Sequence, residues 1–497
     1  MISIGNITNA IMAFITQPDK DWSIAAFPFF VTFIIFYIIF IGLCRTRRNI
    51  ALSYVILFGL FFAWKANGWL MLLLPATTVI SWWGTRLMMR AKRHRGLWLA
   101  AIITVDLLPL LYFKYTNFLL SIFNSLLERN FAPLDIFLPI GLSFYTFQAI
   151  SYSVDVYKWR FTRETPLLYY AFYLTFFPLL LAGPITRAEV LIPQISQFST
   201  KDPTLKRRNS TLAYEGLWLI IIGLIKKAVI ADYIAQFNNL VFADPAAYSG
   251  FENLMAVLGF TLQIFFDFSG YSDIAIGLAA LMGFKLNDNF NFPYQSLNPT
   301  EFWHRWHIAL STWFRDYMYI PLGGNRHGLA RTCMNIFLTM LVAGLWHGAS
   351  WMFILWGAMH GAGLVVHKIC KKLFLDKIPN TLIVRIISWT LMFSFVCTTW
   401  IFFRADSISS ALTIIGRIST DFHPDYIIPF IDARPLWLLL VALGLELHSI
   451  RRDDYDWLER KFIEMPWFVK FICFAVTIQL VISFSQQSVQ PFIYSHF

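Results

Sequence analysis

The amino-acid sequence predicts an all-α polytopic membrane protein of about 11 to 13 transmembrane or re-entrant helices. Three observations predict it. Only 14% of the 497 residues are charged and 57% are hydrophobic, with a mean hydropathy of +0.58; a soluble domain carries about 25% charged residues. Apolar runs of about 20 residues, enough to cross a bilayer, recur along the whole chain. The basic residues sit in short clusters between those runs, at Arg45/Arg47/Arg48, Arg90/Lys92/Arg93/Arg95, Lys206/Arg207/Arg208 and Lys371/Lys372, as the positive-inside bias requires.

The runs lie near 25–43, 50–65, 68–89, 97–112, 136–157, 166–185, 212–231, 251–282, 332–349, 351–370, 382–403, 436–448 and 466–484. One membrane domain, 25–497 with a motif core near 177–370, is expected. It would follow a short interfacial segment at 1–24. The first run lacks a small-residue cleavage site and reads as a retained span. The basic loops at Arg45–Arg48, Arg90–Arg95 and Lys158–Arg163 are expected on the cytoplasmic side. The run 166–185, interrupted by Pro178, Gly183 and Pro184, reads as a segment that dips into the bilayer and returns.

The net charge of +11 does not indicate nucleic-acid binding, because its carriers are loop clusters, not one basic face. The five cysteines, Cys44, Cys333, Cys370, Cys397 and Cys473, are dispersed and form no CxxC pair. They read as small apolar core residues, not a disulfide frame or a metal site.

Polar chemistry concentrates in two places. The stretch 285–330 interrupts the apolar pattern. Asn298-Pro299-Thr300 is a helix start signal. From Thr300 to Tyr319 the recurrence of Trp303, Trp306, Leu310, Trp313 and Tyr317 predicts one helix, which Gly323-Gly324-Asn325 ends in a turn. His307 would share a face with Trp303, Leu310 and Ser311. The second place is Trp346-His347-Gly348, inside an otherwise apolar run. An ionisable side chain at that depth costs about 2.5–3.5 kcal/mol or more when charged. His347 is therefore expected as a neutral imidazole, with a partner, or lining a wet cavity, a setting suited to general-base work. A histidine that only bridges helices is the alternative for both.

Asp267 and Asp273, also in an apolar run, need partners. Structural ion pairs, with Arg305 or Arg315 as candidates, are the plain reading. Gly270 between them suggests a broken helix. His304 and His307 have ligand spacing, but no HExxH arrangement or cysteine cluster accompanies them, so no metal is expected. No P-loop and no GxSxG elbow occurs.

Several motifs in order carry a family resemblance: FPLLLAGPI (177–185), DFSGYSDIAIG (267–277), NFNFPY (289–294), FWHRWHIALSTWFRDY (302–317), YIPLGGNR (319–326), WHGASW (346–351) and PFIY (491–494). The chain resembles the membrane-bound O-acyltransferases, in the bacterial alginate and peptidoglycan O-acetyltransferase branch. The resemblance implies helices around a central tunnel, with His347 catalytic and His307 beside it. Trp346, Trp303, Ser311, Asp267, Asp273, Arg305, Arg315 and Asn325 are expected to line the substrate path. His304 departs from the pattern, since relatives commonly carry arginine there.

The resemblance further implies a bacterial cytoplasmic-membrane enzyme that draws an acetyl group from a cytoplasmic thioester, acetyl-CoA. An exported SGNH-like or serine-esterase-type partner would pass it to a polysaccharide. Two alternatives stand beside this. A polysaccharide or lipid-linked-sugar transporter would carry an internal repeat, which the sequence lacks. A D-alanyl transferase of the same family would be fed by a carrier protein.

Overall fold

A computed structural model describes residues 22–161, 164–181, 183–198 and 203–484, with Phe14, Gln17 and Pro18. Most of the expected surface segment 1–24, and the motif at 491–494, lie outside the described residues. The described chain is helical, without strands. It divides into two compact units, Met1–Gly216 with Ala275–Leu286, and Leu217–Ile274 with Asn287–Phe497.

The first unit contains α1 (Phe27–Thr46), α2 (Arg48–Asn67), α3 (Leu73–Arg90), α4 (Arg95–Leu110), α5 (Thr116–Leu127), α6 (Leu142–Tyr157), α7 (Leu167–Thr175), α8 (Phe177–Leu180) and α9 (Ala188–Gln197). α1 shows how composition becomes packing. Phe29, Phe33, Phe36 and Phe40 are buried on one side, while Ile34, Ile35 and Ile38 are 52%, 59% and 66% exposed on the other. So large an apolar outer face suits lipid, not water. The ring of Phe177 contacts Phe29, Phe33, Phe36, Phe58 and Phe62.

The run 166–185 is not one helix. α7 stops at the extended residue Phe176, and α8 is four residues long. At 1.5 Å per residue, α7 reaches only about 14 Å, half the hydrocarbon thickness. A Cβ on Gly183 would lie 2.5 Å from the Pro178 carbonyl oxygen, so the backbone folds back on itself where only glycine fits.

The chain continues through α10 (Pro203–Leu224), α11 (Asp232–Ala243), α12 (Gly250–Leu281), α13 (Pro299–Arg305), α14 (Ile308–Phe314), α15 (Gly328–His347), α16 (Trp351–Leu373), α17 (Leu382–Arg404), α18 (Ile408–Thr420), α19 (Ile427–Ala433), α20 (Pro435–Ser449), α21 (Arg452–Glu464) and α22 (Trp467–Phe484). Among the described residues, seven helices are long and apolar enough to cross a membrane. An eighth crossing results if Pro424–Ala433 and Pro435–Ser449, bent by 96°, form one span. The other expected runs form shorter helices or helices with polar ends.

Two expectations are corrected here. Gly270 does not break a helix, because α12 runs unbroken through it for 32 residues. A Cβ there would lie 2.8 Å from the Gly223 carbonyl oxygen, and one on Gly223 would lie 2.6 Å from that of Gly270. The two glycines let two backbones touch. The helix expected over Thr300–Tyr319 is instead α13, a break at Trp306 and His307, α14, and a π turn at Arg315–Tyr319. Its start and stop are as expected. Asn298 caps α13 by accepting from the Glu301 N–H at 2.9 Å, and Gly323 and Gly324 take φ of +108° and +56° in the closing turn.

Candidate active site

The break between α13 and α14 is built around Asn289. His307 adopts φ +42° and ψ +55°, a left-handed conformation rare for a residue with a side chain. Such strain costs about 1–3 kcal/mol and persists only where surrounding bonds fix it. Those bonds come from the loop 289–291. The Asn289 carbonyl oxygen accepts from the Ile308 N–H at 2.9 Å, and the Asn291 N–H donates to the Arg305 carbonyl at 2.9 Å. Asn289 Oδ1 accepts from the Ala309 N–H at 3.2 Å, while its Nδ2 donates to Ser272 Oγ at 3.0 Å.

This arrangement fixes the imidazole. Asn289 Oδ1 already accepts a backbone N–H, so it is the oxygen, and it lies 3.0 Å from His307 Nδ1. Nδ1 therefore carries the proton and donates to it, and Nε2 keeps its lone pair. His307 is fully buried, and Nε2 has no hydrogen-bond partner among the described residues. Burial pulls this imidazole down to about 3. It is thus a neutral, oriented hydrogen-bond acceptor at physiological pH, not a proton store.

The same burial has a pH consequence. The folded-state value lies below the ordinary value of about 6.5, so between roughly pH 6.5 and 3 the unfolded chain binds a proton that the folded chain does not. Stability is lost as pH falls through that window. The His307→Gln variant is expected to lose less melting temperature than the parent between pH 7.5 and 5 in detergent. Equal losses would remove His307 as a source of the acid sensitivity.

His347 is the last residue of α15 and is 2% exposed. Glycines bring the helix that follows into backbone contact. A Cβ on Gly344 would lie 2.2 Å from the Phe353 carbonyl oxygen, and one on Gly348 2.1 Å from the Phe353 ring. His347 packs edge-on against Trp346 at 5.0 Å, Trp356 at 4.9 Å and Phe403 at 5.7 Å between ring centroids. His307 lies 6.3 Å from the same Trp346 ring. One indole is therefore a shared neighbour of both imidazoles, which lie far apart in the sequence.

The other expected site residues are distributed differently. Trp303 is buried beside Trp356, at 5.9 Å. Ser311, half-buried, donates to the Trp306 carbonyl at 3.2 Å across the break. Asp267 and Asp273 do form ion pairs, but with lysines: Asp267 with Lys227 at 2.7 Å and Asp273 with Lys226 at 2.6 Å. Arg305 bonds to Glu301 at 2.8 Å and Arg315, exposed, to Asp316 at 2.8 Å. Asn325 is exposed in the turn after the π turn. Sequence reasoning passed over Asn289 and the two lysines. Lys226 and Lys227 carried a readable signal, adjacent cations within an apolar run; Asn289 was one of five asparagines in the polar stretch 285–330.

His304 is exposed and lines an open cavity of about 480 Å³ with Asn298, Thr300, Glu301, His367, Lys371 and Leu375. Among the described residues, no group of three or more His, Cys, Asp or Glu side chains could hold a metal ion.

Residues 161–403 match the membrane-bound O-acyltransferase family, a span that includes α13 to α16 and both imidazoles. The chain is 40% identical to a probable alginate O-acetylase of Azotobacter vinelandii, over 73% of this chain and 71% of that protein. It is 37% identical to a peptidoglycan O-acetyltransferase of Helicobacter pylori, over 65% and 64% of the two chains. It is 26% identical to a teichoic acid D-alanyltransferase of Bacillus subtilis, over 62% and 78%. With long apolar helices, two imidazoles sharing one indole and these relatives, the chain is a multi-pass membrane acyltransferase and belongs to the membrane-bound O-acyltransferase family.

Proposed function

We propose that this chain moves an acetyl group from a cytoplasmic thioester, acetyl-CoA, across a bacterial cytoplasmic membrane for O-acetylation of an extracytoplasmic polysaccharide. The observation that carries the reading is the pair of buried imidazoles around Trp346 at the end of a membrane-crossing helix. Chemistry at that place lets a small acyl group be transferred without moving the polysaccharide into the bilayer. The names of the alginate and peptidoglycan relatives support acetyl as the group and a polysaccharide as its destination.

In this reading His347 removes the proton of an acceptor hydroxyl. The hydroxyl oxygen attacks the thioester carbonyl, the carbon–sulfur bond breaks, and the thiolate leaves with the proton. His307 takes part through Nε2, as a fixed acceptor that orients the hydroxyl or a water beside it. A general base contributes about 10²–10⁴-fold; the Nδ1 proton of His307, held by Asn289 Oδ1 at 3.0 Å, suits this ring to orientation. The immediate acceptor is an exported partner of the SGNH or serine-esterase type, whose hydroxyl receives the acetyl group and passes it on.

Membrane vesicles holding the chain and such a partner are expected to move label from acetyl-CoA, supplied on the cytoplasmic face, to the partner on the other face. Absence of transfer from acetyl-CoA, with transfer from a D-alanyl carrier protein, would overturn the acetyl reading in favour of D-alanyl transfer. Absence of both would overturn acyl transfer to this partner class.

A further inference from the structure

His360 lies in the middle of α16, fully buried. Neither ring nitrogen has a hydrogen-bond partner among the described residues. Its neighbours are aromatic. Centroid distances are 5.1 Å to Trp303, 4.8 Å to Trp356, 5.4 Å to Phe395 and 6.4 Å to Trp400. The indole nitrogens of Trp303, Trp356 and Trp400 are buried, and they too have no hydrogen-bond partner among the described residues.

Donors and acceptors in this cluster do not balance. A neutral imidazole has one donor and one acceptor, and each indole has one donor only. The group thus offers four donors against one acceptor, and internal bonding could satisfy at most one of them. The steep ring contacts, 80° with Trp303 and 65° with Trp356, allow at best weak N–H···π contacts. Buried polar groups are nearly always paired, and each one left alone costs about 1–3 kcal/mol. If the cluster existed only for packing, phenylalanine at position 360 would fill it without that cost. An oxygen that only accepts, with two lone pairs, would take up two of the three donors that remain.

The cluster is one ring away from the proposed chemistry, because Trp356 contacts His360 at 4.8 Å and His347 at 4.9 Å. We propose that His360 and the indole N–H groups of Trp303, Trp356 and Trp400 form a donor pocket for the carbonyl oxygen of the acyl group handled at His347. The inference rests on the acyl-transfer reading above. A carbonyl oxygen gains negative charge as it is attacked, so neutral donors in a dry aromatic cage favour the attacked state over the ground state.

The test uses full-length chain in lipid nanodiscs, with acetyl-CoA as donor and the exported partner as acceptor. The His360→Phe variant keeps a ring and removes both nitrogens. It is expected to lose about 10²-fold in kcat with little change in KM for acetyl-CoA, while remaining monodisperse with an unchanged or raised melting temperature. His360→Asn restores a donor and is expected to recover part of that loss. Trp303→Phe and Trp356→Phe remove one N–H each and keep an aromatic ring, and each is expected to lower kcat.

Parent-level kcat in His360→Phe overturns the proposal. Should that variant not fold, parent-level kcat in both tryptophan variants overturns it instead. Transfer that survives His347→Ala shows that the underlying reading has failed. Transfer that needs His347 but not His360 shows that only the pocket has failed.

Discussion

His347→Ala is expected to lower acetyl transfer by about 10²–10⁴-fold in cells and in purified protein. The ring sits at the end of α15, 2% exposed, against Trp346, Trp356 and Phe403. Removing it takes away the proposed proton acceptor and also leaves a gap. Truncating a large buried side chain costs about 2–5 kcal/mol, so lost activity alone would not distinguish chemistry from packing. His347→Gln and His347→Phe separate the two. Glutamine keeps polarity and phenylalanine keeps the ring, but neither can exchange a proton near neutral pH. Both are expected to reach the membrane at parental abundance and to be inactive. Measured as acetyl content of the exported polymer, a His347→Ala strain above a tenth of the parental value, with the chain present in the membrane, would sink the assignment.

The largest effect on stability is expected at Lys227, which is about as buried as Asp267. Its ammonium lies 2.7 Å from Asp232 and 2.7 Å from Asp267. Lys226, next to it on the same π turn at Ile225–Ala231, pairs with Asp273 at 2.6 Å. The wider turn lets neighbouring lysines reach two aspartates set more than one turn apart on α12. Lys227→Met leaves two carboxylates without their shared cation. Breaking a buried pair in this way costs about 3–5 kcal/mol. The variant is expected to melt far below the parent in detergent or to fail to accumulate. Adding Asp232→Asn and Asp267→Asn removes the stranded charge and is expected to recover much of the loss. A single Lys227→Met variant with the parental melting temperature would show that the carboxylates do not depend on it.

Several site features were legible because their signals are local. The Asn298 cap is a short-range hydrogen bond, and Pro299 and the Gly323-Gly324 turn act through backbone geometry at their own positions. His347 stood out because a titratable group in an apolar run is costly wherever the helix lies. The same rule applies to His360, in the next apolar run.

The break at His307 was not legible. Trp303, Trp306, Leu310 and Trp313 keep a helical rhythm straight through it, and that rhythm measures burial, which continues on both sides of the break. What opens the helix is competition. The loop 289–291 supplies backbone and amide partners that replace bonds within the helix, and no periodicity within 300–319 records them. Gly270 misled for a related reason. A glycine in a membrane run marks either a bend or a close neighbour, and only the position of Gly223 decides which.

The sequence by itself determined that this chain is all-helical, crosses a membrane several times, and keeps its polar chemistry near 285–348. Burial of apolar surface and satisfaction of backbone groups in lipid are properties of composition and short-range pattern. Only the tertiary structure decided that His307 sits in a left-handed break with its Nδ1 proton held by Asn289, that it shares Trp346 with His347, and that lysines rather than arginines neutralise the aspartates. Those facts depend on which distant groups meet in a low-dielectric interior, where each hydrogen bond and each charge must find a partner.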